Sequence, residues 1–208
     1  MEASELVAID TIAHSSGRGR SHPPAQTHRS KCRTPTTPQS QMQTITILSP
    51  SESSELLNWC KSQTLIQEIF TGRPTCRLKK WWGYEAEFYF NKSHIEKREA
   101  ITNDKYLDSL RQKFKPKADS ILLYKYETGG EIGEHLDKKC FDKWVTLINL
   151  TDSADLFNMH EGSKFRWNRK NYYLQHGEVV TFDSRVLHSV PKVKSTRYSL
   201  QFRNITSF

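Results

Sequence analysis

From Thr44 to Leu48 the chain reads Thr-Ile-Thr-Ile-Leu, an alternation of polar and apolar positions with the two-residue period of a strand. Ser49-Pro50-Ser51-Glu52 follows, with Ser49 suited to a helix N-cap, Pro50 to the first helical position and Glu52 to closing a capping box. That helix is expected to reach about Cys60. A second helix is predicted over Asp104–Phe114, where Tyr106, Leu107, Leu110 and Phe114 recur at helical spacing and Pro116 stops the run. Beyond it the pattern changes to short strands: Ile121–Tyr126, Trp144–Leu150, Tyr172–Leu174, Val179–Phe182, Val186–Val190 and Arg197–Ile205, separated by Gly, Asp, Ser or Pro turns. Short strands in succession with no helix between them predict a sandwich or barrel, mainly β, with the two helices packed outside.

Residues 1–41 show no such pattern after Ile12 and are rich in Ser, Thr, Gln, Gly and Pro, the composition of a disordered polar and basic tail. The folded domain is therefore expected to span residues 42–208. The chain carries 31 Lys+Arg against 23 Asp+Glu, a net charge of +8. Only Arg18, Arg20, Arg29, Lys31 and Arg33 of those cations fall in the tail, so the excess belongs mostly to the domain and suits an anionic partner such as nucleic acid. No apolar run is long enough to span a bilayer, so no membrane association is expected. Cys32, Cys60, Cys76 and Cys140 lie far apart with no C-x-x-C pair, which predicts free thiols in a reducing compartment, cytoplasmic or nuclear.

His135-Leu136-Asp137 is followed, 51 residues after the aspartate, by His188 within a predicted strand. Residues two apart on an extended chain point to the same side, so His135 and Asp137 can offer two ligands together and a second strand the third. Two imidazoles and one carboxylate on one face of an octahedral ion leave three positions open, as in non-haem Fe(II) oxygenases. Taken alone, an H-x-D tripeptide favours a surface histidine met by chance; the following strand adds context. In Arg197-Tyr-Ser-Leu-Gln-Phe-Arg203 the residues Arg197, Ser199, Gln201 and Arg203 share one face, and Tyr198, Leu200 and Phe202 the other. A dicarboxylate held on the metal by one end needs a fixed cation at the other, and guanidinium pairs with carboxylate through two parallel bonds. Upstream, Tyr124 and Tyr126 share a strand face, from which a phenol could donate to the same carboxylate.

Tyr124-Lys-Tyr126, Gly129, His135-Leu-Asp137-Lys138, Gly177-Glu-Val-Val-Thr-Phe182, His188 and Arg197-Tyr-Ser-Leu-Gln-Phe-Arg203, in this order and spacing, resemble an AlkB-type 2-oxoglutarate/Fe(II)-dependent dioxygenase over about residues 70–205. The resemblance implies a double-stranded β-helix, or jelly roll, with His135, Asp137 and His188 as iron ligands. It implies Arg197 and Tyr126 on the distal carboxylate of 2-oxoglutarate, and Arg203 nearer the metal end. Tyr124 and Ser199 stand where the family commonly has Asn, so cosubstrate contacts there are expected to be rearranged. Lys139 stands where the bacterial repair enzymes have an Asp that recognises a cationic methylated base. A like charge a few ångströms from such a base costs on the order of 1 to 4 kcal/mol at intermediate dielectric.

Thr71-Gly-Arg-Pro-Thr-Cys-Arg-Leu-Lys-Lys-Trp-Trp-Gly-Tyr84 resembles the family's nucleotide-recognition segment. Arg77 with its neighbouring lysines suits phosphate contacts, and Trp82 and Tyr84 suit base stacking; the opposing reading makes the tryptophans core. The resemblance thus implies Fe(II), with 2-oxoglutarate and O2 as cosubstrates, and oxidative demethylation of N-alkylated nucleobases in single-stranded or damaged DNA or RNA by a monomer. Hydroxylation of a protein or small molecule on the same scaffold is the alternative, and a non-catalytic nucleic-acid-binding module a third reading.

Overall fold

A computed structural model of the chain describes residues 42–70, 72–89, 92–151 and 163–206; the tail expected at residues 1–41 lies outside them. In chain order the elements are β1 (Met42–Ile47), α1 (Pro50–Ser62), β2 (Ile66–Phe70), β3 (Arg73–Tyr89), β4 (Lys92–Lys97), α2 (Lys105–Phe114), β5 (Ser120–Tyr126), β6 (Ile132–His135), β7 (Trp144–Thr151), β8 (Ser163–Trp167), β9 (Lys170–Leu174), β10 (Glu178–Asp183), β11 (His188–Val190) and β12 (Arg197–Arg203).

Both helices begin where their caps place them. The Ser49 hydroxyl accepts from the Glu52 N–H while the Glu52 carboxylate accepts from the Ser49 N–H at 2.9 Å, satisfying two donors that no helical carbonyl can reach. Asp104 caps α2 by accepting from the Leu107 N–H at 2.9 Å. Ser53, Leu56, Leu57 and Cys60 of α1 and Leu107 and Leu110 of α2 are the buried positions, one stripe on each helix.

The strands form two antiparallel sheets. The larger has the order β1-β10-β7-β12-β5-β3-β2, with β4 extending the far half of β3; the smaller has the order β6-β11-β8-β9. β12 lies between β5 and β7, and all seven of its residues are buried, because both faces of the larger sheet are covered. On one face Tyr198, Leu200 and Phe202 join Ile121, Leu123, Ile148 and Leu150 against Leu56, Leu57 and Leu107 of the helices. On the other, Tyr126, Val145, Leu147, Val180 and Phe182 meet Phe165, Trp167 and Val190 of the smaller sheet. This is the expected jelly roll with helices outside.

Strands β2, β3, β4, β6 and β8 were not expected. The 17-residue β3 is masked in the sequence by cations that the structure pairs: buried Arg77 with Glu68, and partly buried Lys79 with Glu85. It passes from β5 to β4 through Gly83, whose φ is +75° and where a Cβ would lie 2.0 Å from the Asp119 carbonyl oxygen, so no other residue fits there. The strand expected from Val186 begins only at His188, since the preceding residues form a turn in which Val186 N–H donates to the Asp183 carbonyl at 3.2 Å. Among the described residues Cys60, Cys76 and Cys140 are free thiols, and no helix is long and apolar enough to cross a membrane.

Candidate metal and cosubstrate site

His135 ends β6 and His188 begins β11, and the two are direct cross-strand partners with ring centroids 4.3 Å apart. Each Nδ1 lies 2.9 Å from a carbonyl two residues earlier in the chain, that of Gly133 for His135 and that of Val186 for His188. A carbonyl only accepts, so each Nδ1 carries a hydrogen, which leaves Nε2 of each ring as the nitrogen able to ligate a metal. Asp137 follows β6 and is held by its N–H donating to the Ser184 carbonyl at 3.1 Å. Its Oδ1 lies 3.7 Å from His135 Nε2 and 3.6 Å from His188 Nε2, and the three ligand atoms all fall within 4.8 Å of one another. The spacing read from the sequence thus becomes one cluster, because the pairing of β6 with β11 brings in His188 as the third side chain.

The charge states suit a divalent cation. Burial and the neighbouring His188 push His135 below the ordinary imidazole range, toward the neutral form that ligates. Burial acts to raise the Asp137 pKa, but the Arg203 guanidinium and His188 overcome it and hold the carboxyl well below the usual range. Arg203 donates through Nη1 to Asp137 Oδ2, leaving Oδ1 directed at the histidines. The remaining edge of Arg203 is taken by Gln201, whose Oε1 accepts from Nε and Nη2, and Gln201 donates in turn to Ser199 Oγ at 3.1 Å. Arg185 braces the ligand loop by donating to the carbonyls of Asp137 at 3.1 Å and Lys139 at 3.2 Å.

Arg197 lies at the other end of β12, on the same inner face, and is 1 % exposed. Its Nε donates to Asn149 Oδ1 at 2.7 Å, and its Cζ lies 5.3 Å from the Tyr126 ring centroid. Nη1 and Nη2 are buried and have no hydrogen-bond partner among the described residues. A buried guanidinium with two parallel donors unused is suited to a carboxylate, the group that the distal end of 2-oxoglutarate would bring. Burial lowers the Arg197 pKa, with the Tyr126 phenol acting in the opposite direction.

The residues expected to meet substrate scatter. Trp82 is a correction: it is 1 % exposed and packs on the helix side of the larger sheet, its ring 5.5 Å from that of Trp59. Its parity in β3 puts it on the face opposite Arg77, so it cannot stack on a base in the site. Arg77 is on the inner face but is consumed by an ion pair with Glu68, which also accepts from Thr75 at 2.9 Å and from the Tyr124 hydroxyl at 2.9 Å. The guanidinium of Arg77 lies over the Tyr124 ring at 4.3 Å, so Tyr124 is turned toward this pair. Arg77 is therefore no phosphate contact. Tyr84 is half-buried and packs against the cluster of Trp81, Leu122 and Phe141. Lys139 is exposed.

Asn149, Arg185 and Glu68 were not singled out from the sequence, and Gln201 was placed on its face without a role. Asn149 carried a signal: a lone amide between Ile148 and Leu150 in a strand expected to be buried must find partners there. Glu68 and Arg185 carried none, since their partners are distant in sequence.

No protein-family model matches the chain, and no curated protein matches it. Among solved structures, OsALKBH1 aligns over 79% of this chain and 98% of its own, with a TM-score of 0.52 at 16% identity. A prolyl-4-hydroxylase from Pseudomonas putida aligns over 79% of this chain and 91% of its own, with a TM-score of 0.51 at 16% identity. A prolyl hydroxylase from Trichoplax adhaerens, solved with a hypoxia inducible factor peptide fragment, aligns over 79% and 83%, with a TM-score of 0.52 at 18% identity. The chain shares the jelly-roll fold of these 2-oxoglutarate/Fe(II) oxygenases. An AlkB homologue and prolyl hydroxylases match it equally well, so the likeness is one of fold and does not single out the AlkB type.

Proposed function

We propose that this protein is a 2-oxoglutarate- and Fe(II)-dependent oxygenase. One observation carries the reading: on the facing inner sides of one jelly roll, three ligand atoms converge at His135, Asp137 and His188 while Arg197 keeps two buried donors unpaired. Bound there, Fe(II) with 2-oxoglutarate and O2 would supply the oxidising power for hydroxylating a substrate C–H bond, with the cosubstrate converted to succinate and CO2. The protein's part is geometric and electrostatic. His135 and His188 turn their Nε2 atoms to the cluster because Nδ1 of each faces a carbonyl, and Asp137 offers one anionic oxygen because Arg203 occupies the other. Arg197, with Tyr126 beside it, would orient the distal carboxylate and so the cosubstrate's metal-binding end. Phe165 and Phe182, whose ring centroids lie 6.1 Å and 5.3 Å from that of His188, keep that side of the site dry.

For the substrate, the AlkB-like motif order and the net charge of +8 support oxidative demethylation of N-alkylated bases in DNA or RNA. A specific observation favours a second reading, hydroxylation of a protein or small molecule: Trp82 and Arg77, two of the expected nucleotide contacts, are buried and engaged elsewhere. Succinate formation tests the class, and loss of it in His135→Ala, Asp137→Ala and His188→Ala tests the ligands. Formaldehyde release from single strands containing 1-methyladenine separates the substrate readings. Succinate without formaldehyde would move the assignment to the hydroxylase, and absence of both would end the proposal.

A further inference from the structure

Asn149 sits in the second half of β7, fully buried, and its amide can be oriented in one way only. Its Nδ2 faces the carbonyls of Leu174 at 3.1 Å and Gln175 at 2.9 Å, which accept and cannot donate. The other end must therefore be the oxygen, and that oxygen meets Arg197 Nε at 2.7 Å. The two carbonyls are themselves held by a stapled turn: Gln175 N–H donates to the Glu178 carboxylate at 2.7 Å, and Gly177 N–H donates to the Asn149 carbonyl at 2.8 Å. The acceptor is thus rigid. A guanidinium is planar, so fixing the direction of its Nε–H, with the Tyr126 ring beside it, fixes where Nη1 and Nη2 point.

The acceptor is also neutral. A carboxylate at this place could accept from Arg197 but could not donate to the two carbonyls, and it would offset the guanidinium charge; the amide is held by both carbonyls and leaves the positive charge available to an incoming anion. Among the described residues nothing else bonds to the two Nη atoms.

Building on the proposed function, we infer that Asn149 is a positioning residue which sets the plane of Arg197 without neutralising it, and so makes the site select a 2-oxo acid with a distal carboxylate. The test is the affinity of the full-length protein, anaerobic and loaded with Mn(II) to prevent turnover, for 2-oxoglutarate and for 2-oxobutyrate, which lacks that carboxylate. At pH 8, Asn149→Ala is expected to weaken 2-oxoglutarate about tenfold or more while leaving 2-oxobutyrate unchanged. Asn149→Asp, of the same size, should weaken 2-oxoglutarate at least as much, and serves alone if the alanine variant does not fold. In an Arg197→Ala background the loss from Asn149→Ala should vanish, because both substitutions remove one interaction.

Unchanged 2-oxoglutarate affinity in either folded variant would overturn the inference, as would equal losses for both acids or full additivity with Arg197→Ala. Those outcomes leave the oxygenase reading standing. Wild-type protein that binds no 2-oxoglutarate would overturn that reading itself, and this inference with it.

Discussion

Arg203 reaches one oxygen of Asp137 while Gln201 holds the rest of its guanidinium, and Ser199 fixes Gln201 in turn. A ligand carboxylate that shares a strong partner keeps one orientation, and disturbing such a supporting contact typically costs 10- to 100-fold in metal affinity. Gln201→Leu, which keeps the volume and removes the acceptor, is therefore expected to weaken Mn(II) or Fe(II) binding by roughly that factor with the fold retained. Anaerobic metal titration measures it; wild-type affinity would show that Arg203 needs no support. The H-x-D pair was legible because residues two apart on an extended chain share a side, although Asp137 lies just beyond β6. Gln201 shares that parity with both arginines, but a face assignment says nothing about which neighbour a long side chain chooses.

At the scale of elements, β3 separates what pattern shows from what pairing decides. Trp81 and Trp82 are adjacent, so they must face opposite layers, yet the sequence does not say which layer is helix-covered. The structure puts Trp82 against the helices, and Trp82→Ala is expected to destabilise the protein by about 3–5 kcal/mol through the cavity it leaves. Denaturant unfolding checks this; a variant of normal stability that loses only substrate affinity would return Trp82 to the substrate site. The turn before β10 carries a pH dependence. His176 Nδ1 accepts from the Thr151 N–H at 3.2 Å, its Nε2 is buried, and burial holds its pKa below the ordinary value. The unfolded chain therefore takes up a proton at higher pH than the folded one, so stability is full above about pH 6.5 and falls as the pH drops below it. His135, lowered by burial and by His188, acts in the same direction in metal-free protein. Melting temperatures of the metal-free protein between pH 8 and 5.5 should fall less in His176→Gln than in wild type, and parallel curves would remove His176 as a contributor.

Across the whole molecule, the net charge of +8 stands beside the motif order as support for a nucleic-acid partner. If single-stranded nucleic acid binds at all, its affinity should fall with salt along a slope of about −0.7 per phosphate contacted. Burying Arg77 in its pair with Glu68 removes one such contact, so Arg77→Gln should leave that slope unchanged while lowering stability, because it strands a buried carboxylate. A shallower slope in that variant would restore Arg77 to the binding surface. What the sequence by itself determined were features that a few neighbouring residues decide: the two capped helices, the alternation of β5 and β12, and the H-x-D pair with its matched arginine strand. Tertiary structure alone decided the meeting of His135 with His188, the layer each tryptophan entered, and the partners of Glu68, Arg77 and Asn149. The physical reason is that periodicity and caps are short-range consequences of backbone geometry. Burial and charge pairing depend on which strands become neighbours, and in a jelly roll those neighbours come from distant parts of the chain.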